Sequence, residues 1–298
     1  MPVNAPRFRL RCWGARGTLP SPGPHALRYG GHTSCVEIQP ANGARVIFDA
    51  GSGIRALGAH ILKQQSESVQ EVNELIHLFL THQHFDHIIG LPHFQPLRSD
   101  HHRVVLRCGN ATRDQLQELV QSVLAPPLFV SMPMLDDTLR IESCESGVPI
   151  PVGDGCAVHR LEARHNGGAA IFRIDDNLGP AIAFAPDNEL SYASTDPLVV
   201  QWRAGIVGDL RNIPVLMHDA MYHNEEVARY AGWGHSSAEE ATQLAIDCNA
   251  GRLVLFHHHP DRTDSEIDDL VWNCRSLAHR AGSRLQIDAA YEGMTLGV

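Results

Sequence analysis

Residues 76–88 read IHLFLTHQHFDHI, and this stretch constrains the fold more than any other. Residues 76–80 form a short, mostly apolar run of the kind that becomes a buried strand. The run ends abruptly at His82, His84, Asp86 and His87, all potential metal ligands. Imidazole and carboxylate are ligand types that suit zinc and other borderline divalent ions. In extended chain His82 and His84 point the same way, because side chains alternate with period two. Asp86 and His87 follow at once and face a second position if the chain turns there into a helix. One loop can therefore serve two adjacent metals. A chain with 19 histidines will cluster some by chance. However, a solvated loop rarely follows a buried strand directly with this density of ligands.

Matching groups recur downstream. His165 lies in EARHNGGAAIFRID, between one strand and another predicted over 170–174. Asp187 lies in AIAFAPDNE, at the end of an apolar strand over 181–185. His257, His258 and His259 close the run RLVLF. Like His82 and His84, each group stands just past the C-terminal end of a strand, where open αβ architectures gather ligand-binding groups. Taken singly, each reads equally well as a loop residue.

The stretch from His82 to His87 resembles the HxHxDH signature of the metallo-β-lactamase superfamily, and the downstream groups match that superfamily's order of ligands. The resemblance implies an α/β fold, the αββα four-layer sandwich of the metallo-β-lactamase type, with residues 1–298 as a single hydrolase domain. It implies that His82, His84 and His165 bind one metal, that Asp86, His87 and His257 bind the other, and that Asp187 bridges them. His257 is preferred as the first residue past its strand, with His258 and His259 as alternatives. The cofactors expected are two divalent metal ions per chain, zinc first, with manganese or iron accepting the same ligands.

Four further stretches are similar to the ribonuclease Z-like branch. The loop GARGTLPSPGPHALRYGGHTS is rich in Gly and Pro and too long for a plain connection. Asp49 matches an aspartate that in that branch sits behind the metals and holds a ligand imidazole in one tautomer. Asp219 in LMHDA and His235 in GWGHSS match an acid and a histidine that assist phosphate chemistry there. Asp stands here where Glu is usual in ribonuclease Z, so the charge is kept and the reach is shorter. The resemblance thus implies a phosphodiesterase for a cyclic nucleotide or other small phosphodiester, using a metal-activated water. Asp86 would shuttle protons, and Asp219 would orient His235. Two alternatives remain at this point. One is an acyl hydrolase for a lactone, thioester or β-lactam on the same metal pair; the other is a non-catalytic binding protein.

Composition limits partners. With 43% hydrophobic residues among 298, the chain has ample core material. No apolar run approaches the roughly 18 residues of a membrane span, and the opening residues lack the apolar core of a secretion signal. Seven scattered Cys without a CxxC pair point to a reduced, cytoplasmic protein. A net charge of −10 disfavours a large nucleic-acid footprint. So does the lack of a long basic insertion of the kind ribonuclease Z uses to clamp tRNA. Arg16, Arg28 and Arg103 remain available for a small basic patch. The substrate expected is a small molecule, no membrane is involved, and a homodimer is left open because relatives are often dimers.

The remaining elements follow from pattern. Strands are predicted over 8–13, 35–39, 45–50 and 104–108, with Asn42-Gly43 bridging the second and third. Helices are predicted over 54–63 and 111–123, with a short helix and loop over 88–97. Residues 125–137 read as irregular, with Leu128, Phe129, Val130, Met132, Met134 and Leu135 packed or lining a pocket. Residues 139–142 and 157–161 are assigned to a second sheet. Ser236 or Ser237 caps a helix that runs to about residue 246.

Overall fold

Strand-length apolar runs, broken by glycine and proline turns, pair here into two mixed sheets. The structure is a computed structural model and describes residues 6–41, 45–67, 74–129, 138–153 and 155–298. The first sheet takes β1 (Phe8–Gly14), β2 (Cys35–Pro40), β3 (Arg45–Phe48), β4 (Glu74–Leu80), β5 (His102–Cys108) and β6 (Leu139–Ile141). The second takes β7 (Ile150–Gly153), β8 (Cys156–Ala163), β9 (Ala169–Asp176), β10 (Gly179–Ala185), β11 (Val215–Asp219), β12 (Arg252–Phe256) and β13 (Gln286–Ala289). A last strand, β14 (Thr295–Gly297), returns to pair with β1.

The two sheets share one plan. Strands β1 to β3 and β7 to β10 pair antiparallel, whereas β3 to β6 and β10 to β13 pair parallel. Parallel neighbours need crossovers. In the first sheet these include α1 (Ile54–Glu67) and α3 (Arg113–Val123), with α2 (Phe85–Ile88) a single turn after β4. In the second they are α4 (Pro197–Asp209), the turn α5 (Asn224–Val227), α6 (Ala238–Asp247) and α7 (Asp264–Arg280). Thr112, Asp196, Ser237 and Thr263 cap α3, α4, α6 and α7 by accepting backbone N–H groups of the first turn.

Inner faces of the two sheets meet in one cluster that holds Phe48, Phe79, Phe172, Phe184 and Phe256. Phe48 stacks on Phe172 and Phe184 with ring centroids 5.4 and 5.5 Å apart. All five rings are fully buried, and truncation of any to Ala costs about 3–5 kcal/mol on general grounds. Leu57, Ile61 and Leu116 seal α1 and α3 onto the outside of the first sheet. Leu210, Leu244 and Ile267 do the same for α4, α6 and α7 on the second. The result is the expected αββα four-layer sandwich. At one end the sheets touch directly, where the Ala170 amide donates to the Thr81 carbonyl at 3.1 Å.

Several local expectations need correction. Residues 139–141 join the first sheet, not the second, by pairing parallel to β5. The α3 crossover returns the chain to the edge it left, and so short a strand carries no signal of its partner. Residues 215–219 form a strand that the pattern reading did not assign, and Asp219 is its last residue. Arg16, Arg28 and Arg103 do not form a patch. Arg16 is fully buried and donates to the carbonyls of Gly30, His259 and Arg262. Arg28 pairs with Asp268, and Arg103 lies at the start of β5, at the far end from Thr81. Asn42, Gly43, Val130, Met132, Met134 and Leu135 lie outside the described residues. Leu128 is exposed, and Phe129 packs against His93.

Candidate metal centre

Strand ends bring the site together. β4 delivers His82 and His84, α2 adds Asp86 and His87, and the turn between β8 and β9 carries His165. Asp187 follows β10 and His257 follows β12. All of these leave the sandwich at the end where Ala170 meets Thr81. Their ligand-type atoms converge into groups within 4.8 Å: His82, His84 and His165; Asp86, His87 and His257; and His82, His87 and Asp187.

Asp187 lies between the first two groups, with its oxygens divided between them. Its Oδ1 is 3.9 Å from His82 Nε2 and 3.8 Å from His165 Nε2. Its Oδ2 is 3.0 Å from His87 Nε2 and 3.4 Å from His257 Nε2. Asp86 Oδ2 stands 3.2 Å from His87 Nε2 and 3.1 Å from His257 Nε2. His84 Nδ1 and His165 Nε2 face each other at 3.0 Å. His258 turns away and meets the Ala290 carbonyl through Nε2 at 2.9 Å. His259 belongs to none of the convergent groups.

The donor set fits a divalent metal. His82 Nε2, His87 Nε2 and Asp187 Oδ2 are buried without hydrogen-bond partners. Unpaired buried polar atoms are costly, at about 1–3 kcal/mol each, and a cation among these three would satisfy them. The carboxylates of Asp49, Asp86 and Asp187 give the cluster a negative field that favours a cation, which would take the place of the proton on His87. Burial alone would lower the His87 imidazole, but Asp86, Asp187 and Asp49 outweigh it and hold His87 well above its ordinary range. Burial and the neighbouring His87 push His82 well below that range, into the neutral form a ligand needs.

A second layer orients these rings. His87 donates from Nδ1 to Asp49 Oδ2 at 2.7 Å. Asp49 in turn accepts Ser34 Oγ at 2.7 Å and the Thr81 amide at 2.8 Å. That fixes the His87 tautomer and aims Nε2 inward, the role expected of a carboxylate behind a metal ligand. His165 donates from Nδ1 to the Gly234 carbonyl at 2.9 Å. His235 donates from Nδ1 to Asp219 Oδ2 at 2.8 Å and lies 3.7 Å from Asp187 Oδ1. Burial works against a charge on His235, yet the Asp219 carboxylate outweighs it and the imidazole is pushed up to about 9.

Sequence reasoning missed contacts that run through the backbone. The Thr18 amide donates to Asp86 Oδ2 at 2.8 Å. A Cβ on Gly17 would lie 2.4 Å from the His257 ring, so only glycine lets that loop lie flat on it. The only signal was the length and glycine content of the first loop. Thr18, Asp49 and His257 all adopt left-handed φ, at 64°, 63° and 58°. Such strain, of order 1–3 kcal/mol per residue, gathers at functional sites.

Comparison with known proteins is consistent with this geometry. Residues 44–258 match the beta-lactamase superfamily domain. A ribonuclease Z from Halorubrum lacusprofundi is 24% identical over 221 residues, covering 61% of this chain and 69% of that protein. The metallo-beta-lactamase fold protein YhfI from Bacillus subtilis superposes with a TM-score of 0.67 at 16% identity, covering 98% of this chain and 99% of the other. A diphosphatase from the PhnP family superposes at 0.63 and 17% identity, with 98% of both chains covered.

Proposed function

Because this chain belongs to the beta-lactamase superfamily, on its ribonuclease Z-like branch, we propose that it is a metal-dependent hydrolase that cleaves phosphodiester bonds. The proposed ligands are His82, His84 and His165 for one metal and Asp86, His87 and His257 for a second, with Asp187 shared. Zinc is the metal proposed, since imidazole and carboxylate in a tight cluster suit it, and manganese or iron accept the same groups. Bound metals supply Lewis acidity, which polarises the phosphoryl group and acidifies the attacking water.

The observation that carries phosphate chemistry is the pair Asp219 and His235, hydrogen-bonded at 2.8 Å beside Asp187. Asp219 occupies Nδ1, so Nε2 is the ring atom left to meet substrate. There it stabilises the developing oxyanion and protonates the leaving oxygen. Asp86, held by the Thr18 amide, accepts the proton from the attacking water.

The relative's name makes RNA a substrate to be tested. The net charge of −10, and the burial or pairing of Arg16 and Arg28, favour a small phosphodiester. The seven cysteines are buried and none is joined in a disulfide, which suits a reducing cytoplasm. Among the described residues no helix is long and apolar enough to cross a membrane. The test is a hydrolysis panel on purified, metal-analysed protein. It runs from bis-p-nitrophenyl phosphate and cyclic nucleotides through dinucleotides to RNA, with lactones and thioesters alongside. Phosphodiester turnover is expected to dominate. Turnover of acyl substrates alone would replace this reading with acyl hydrolysis.

A further inference from the structure

Glu189 is a buried carboxylate, 7% exposed, two residues beyond Asp187. Among the described residues it has no ion pair with Arg, Lys or His. Its partners are instead backbone amides of one loop. Oε1 and Oε2 accept from the Gly232 amide at 3.1 and 3.0 Å, and Oε2 accepts from the Gly234 amide at 2.9 Å. The Ser191 hydroxyl donates to Oε1 at 2.9 Å and steadies the carboxylate from its own side. Ionised acceptors make bonds about twice as strong as neutral ones, so this loop is held firmly to the chain that carries Asp187.

The clamped peptide carries two site residues. Gly234 gives its N–H to Glu189 and its carbonyl to His165 Nδ1. It adopts φ 88°, and a Cβ there would fall 2.2 Å from His165 Nδ1. His235 follows directly. Nearby, the Leu190 amide donates to Ser236 Oγ at 3.0 Å, which closes the two loops on the far side of His235.

We propose that Glu189 is a positioning residue: it fixes the Gly232–Gly234 backbone so that the His165 ring and the His235 ring are set together from one peptide. This rests on the reading of His235 given under Proposed function. A shift of about 1 Å in such a group costs on the order of 10² in rate, so the carboxylate acts on turnover without touching substrate.

Glu189→Gln tests this with little change in volume. One carboxylate oxygen becomes an NH2 group, which cannot accept from an amide. With zinc-loaded protein, kcat on the best phosphodiester is expected to fall by about 10- to 100-fold, with KM changed by less than about 3-fold and metal content unchanged. A second readout needs no substrate. In long-range 1H–15N spectra of 15N-histidine-labelled protein, His165 should show a protected Nδ1–H in the wild type and lose that protection in the variant. An unchanged His165 resonance overturns the proposal, as does unchanged kcat on a substrate the wild type turns over. If the wild type hydrolyses no phosphodiester, the functional reading fails while the spectra still decide on the clamp. If Glu189→Gln does not fold, Glu189→Asp, which keeps the charge but withdraws it by one methylene, must give the same signature.

Discussion

At the scale of single residues, the proposed site divides into groups that would hold metal and groups that would act on substrate. His235→Ala should leave metal content unchanged and lower phosphodiester turnover by about 10² to 10⁴-fold, the usual range for one acid–base group. Asp219→Ala should cost less, because it acts through His235. The double variant should be little worse than His235→Ala alone, since residues working as a unit are non-additive. Unchanged turnover together with a lower Tm would reduce His235 to a packing residue. Much of this site is legible in the sequence, because His82, Asp187 and His257 each follow an apolar run whose end can be located. Glu189, Gly17 and Thr18 are not, because their contacts involve backbone amides and close approach, which no side-chain pattern encodes.

At the scale of elements, β4 couples the site to the core and also carries a titrating group. His77 lies buried on β4 with Nδ1 3.2 Å from Arg107 Nη1. Burial and then the Arg107 charge lower it from 6.5 to about 4. A histidine depressed in the folded state binds fewer protons than in the unfolded chain. Its neutral form therefore favours folding fully above about pH 6.5, and this contribution is lost as pH falls toward 4. A shift of this size is worth up to about 3 kcal/mol. His77→Gln should flatten the decline in urea-unfolding free energy between pH 7 and 4.5, and parallel pH profiles for wild type and variant would contradict the assignment. Element type was readable for nearly every long apolar run. The sheet to which residues 139–141 belong was not, because pairing is a long-range choice made by the α3 crossover.

At the scale of the whole molecule, the proposed metals would join the two halves of the sandwich. His82, His84, Asp86 and His87 come from the first sheet's side; His165, Asp187 and His257 come from the second. Metal binding to the folded state alone adds stability by mass action, about 4 kcal/mol at a thousandfold excess over Kd. A chelator should therefore lower Tm by several degrees, and re-addition of zinc should restore it, as differential scanning calorimetry would show. An unchanged Tm would mean that the cluster does not hold metal across the halves. The central claim is a shared two-metal site that runs phosphodiester hydrolysis. It is tested most directly by titrating metal-stripped protein with zinc while following bound zinc and bis-p-nitrophenyl phosphate turnover in the same samples. The account predicts saturation at two zinc ions per chain, with turnover rising only as the second binds. Saturation at one, or full turnover with one, would contradict it.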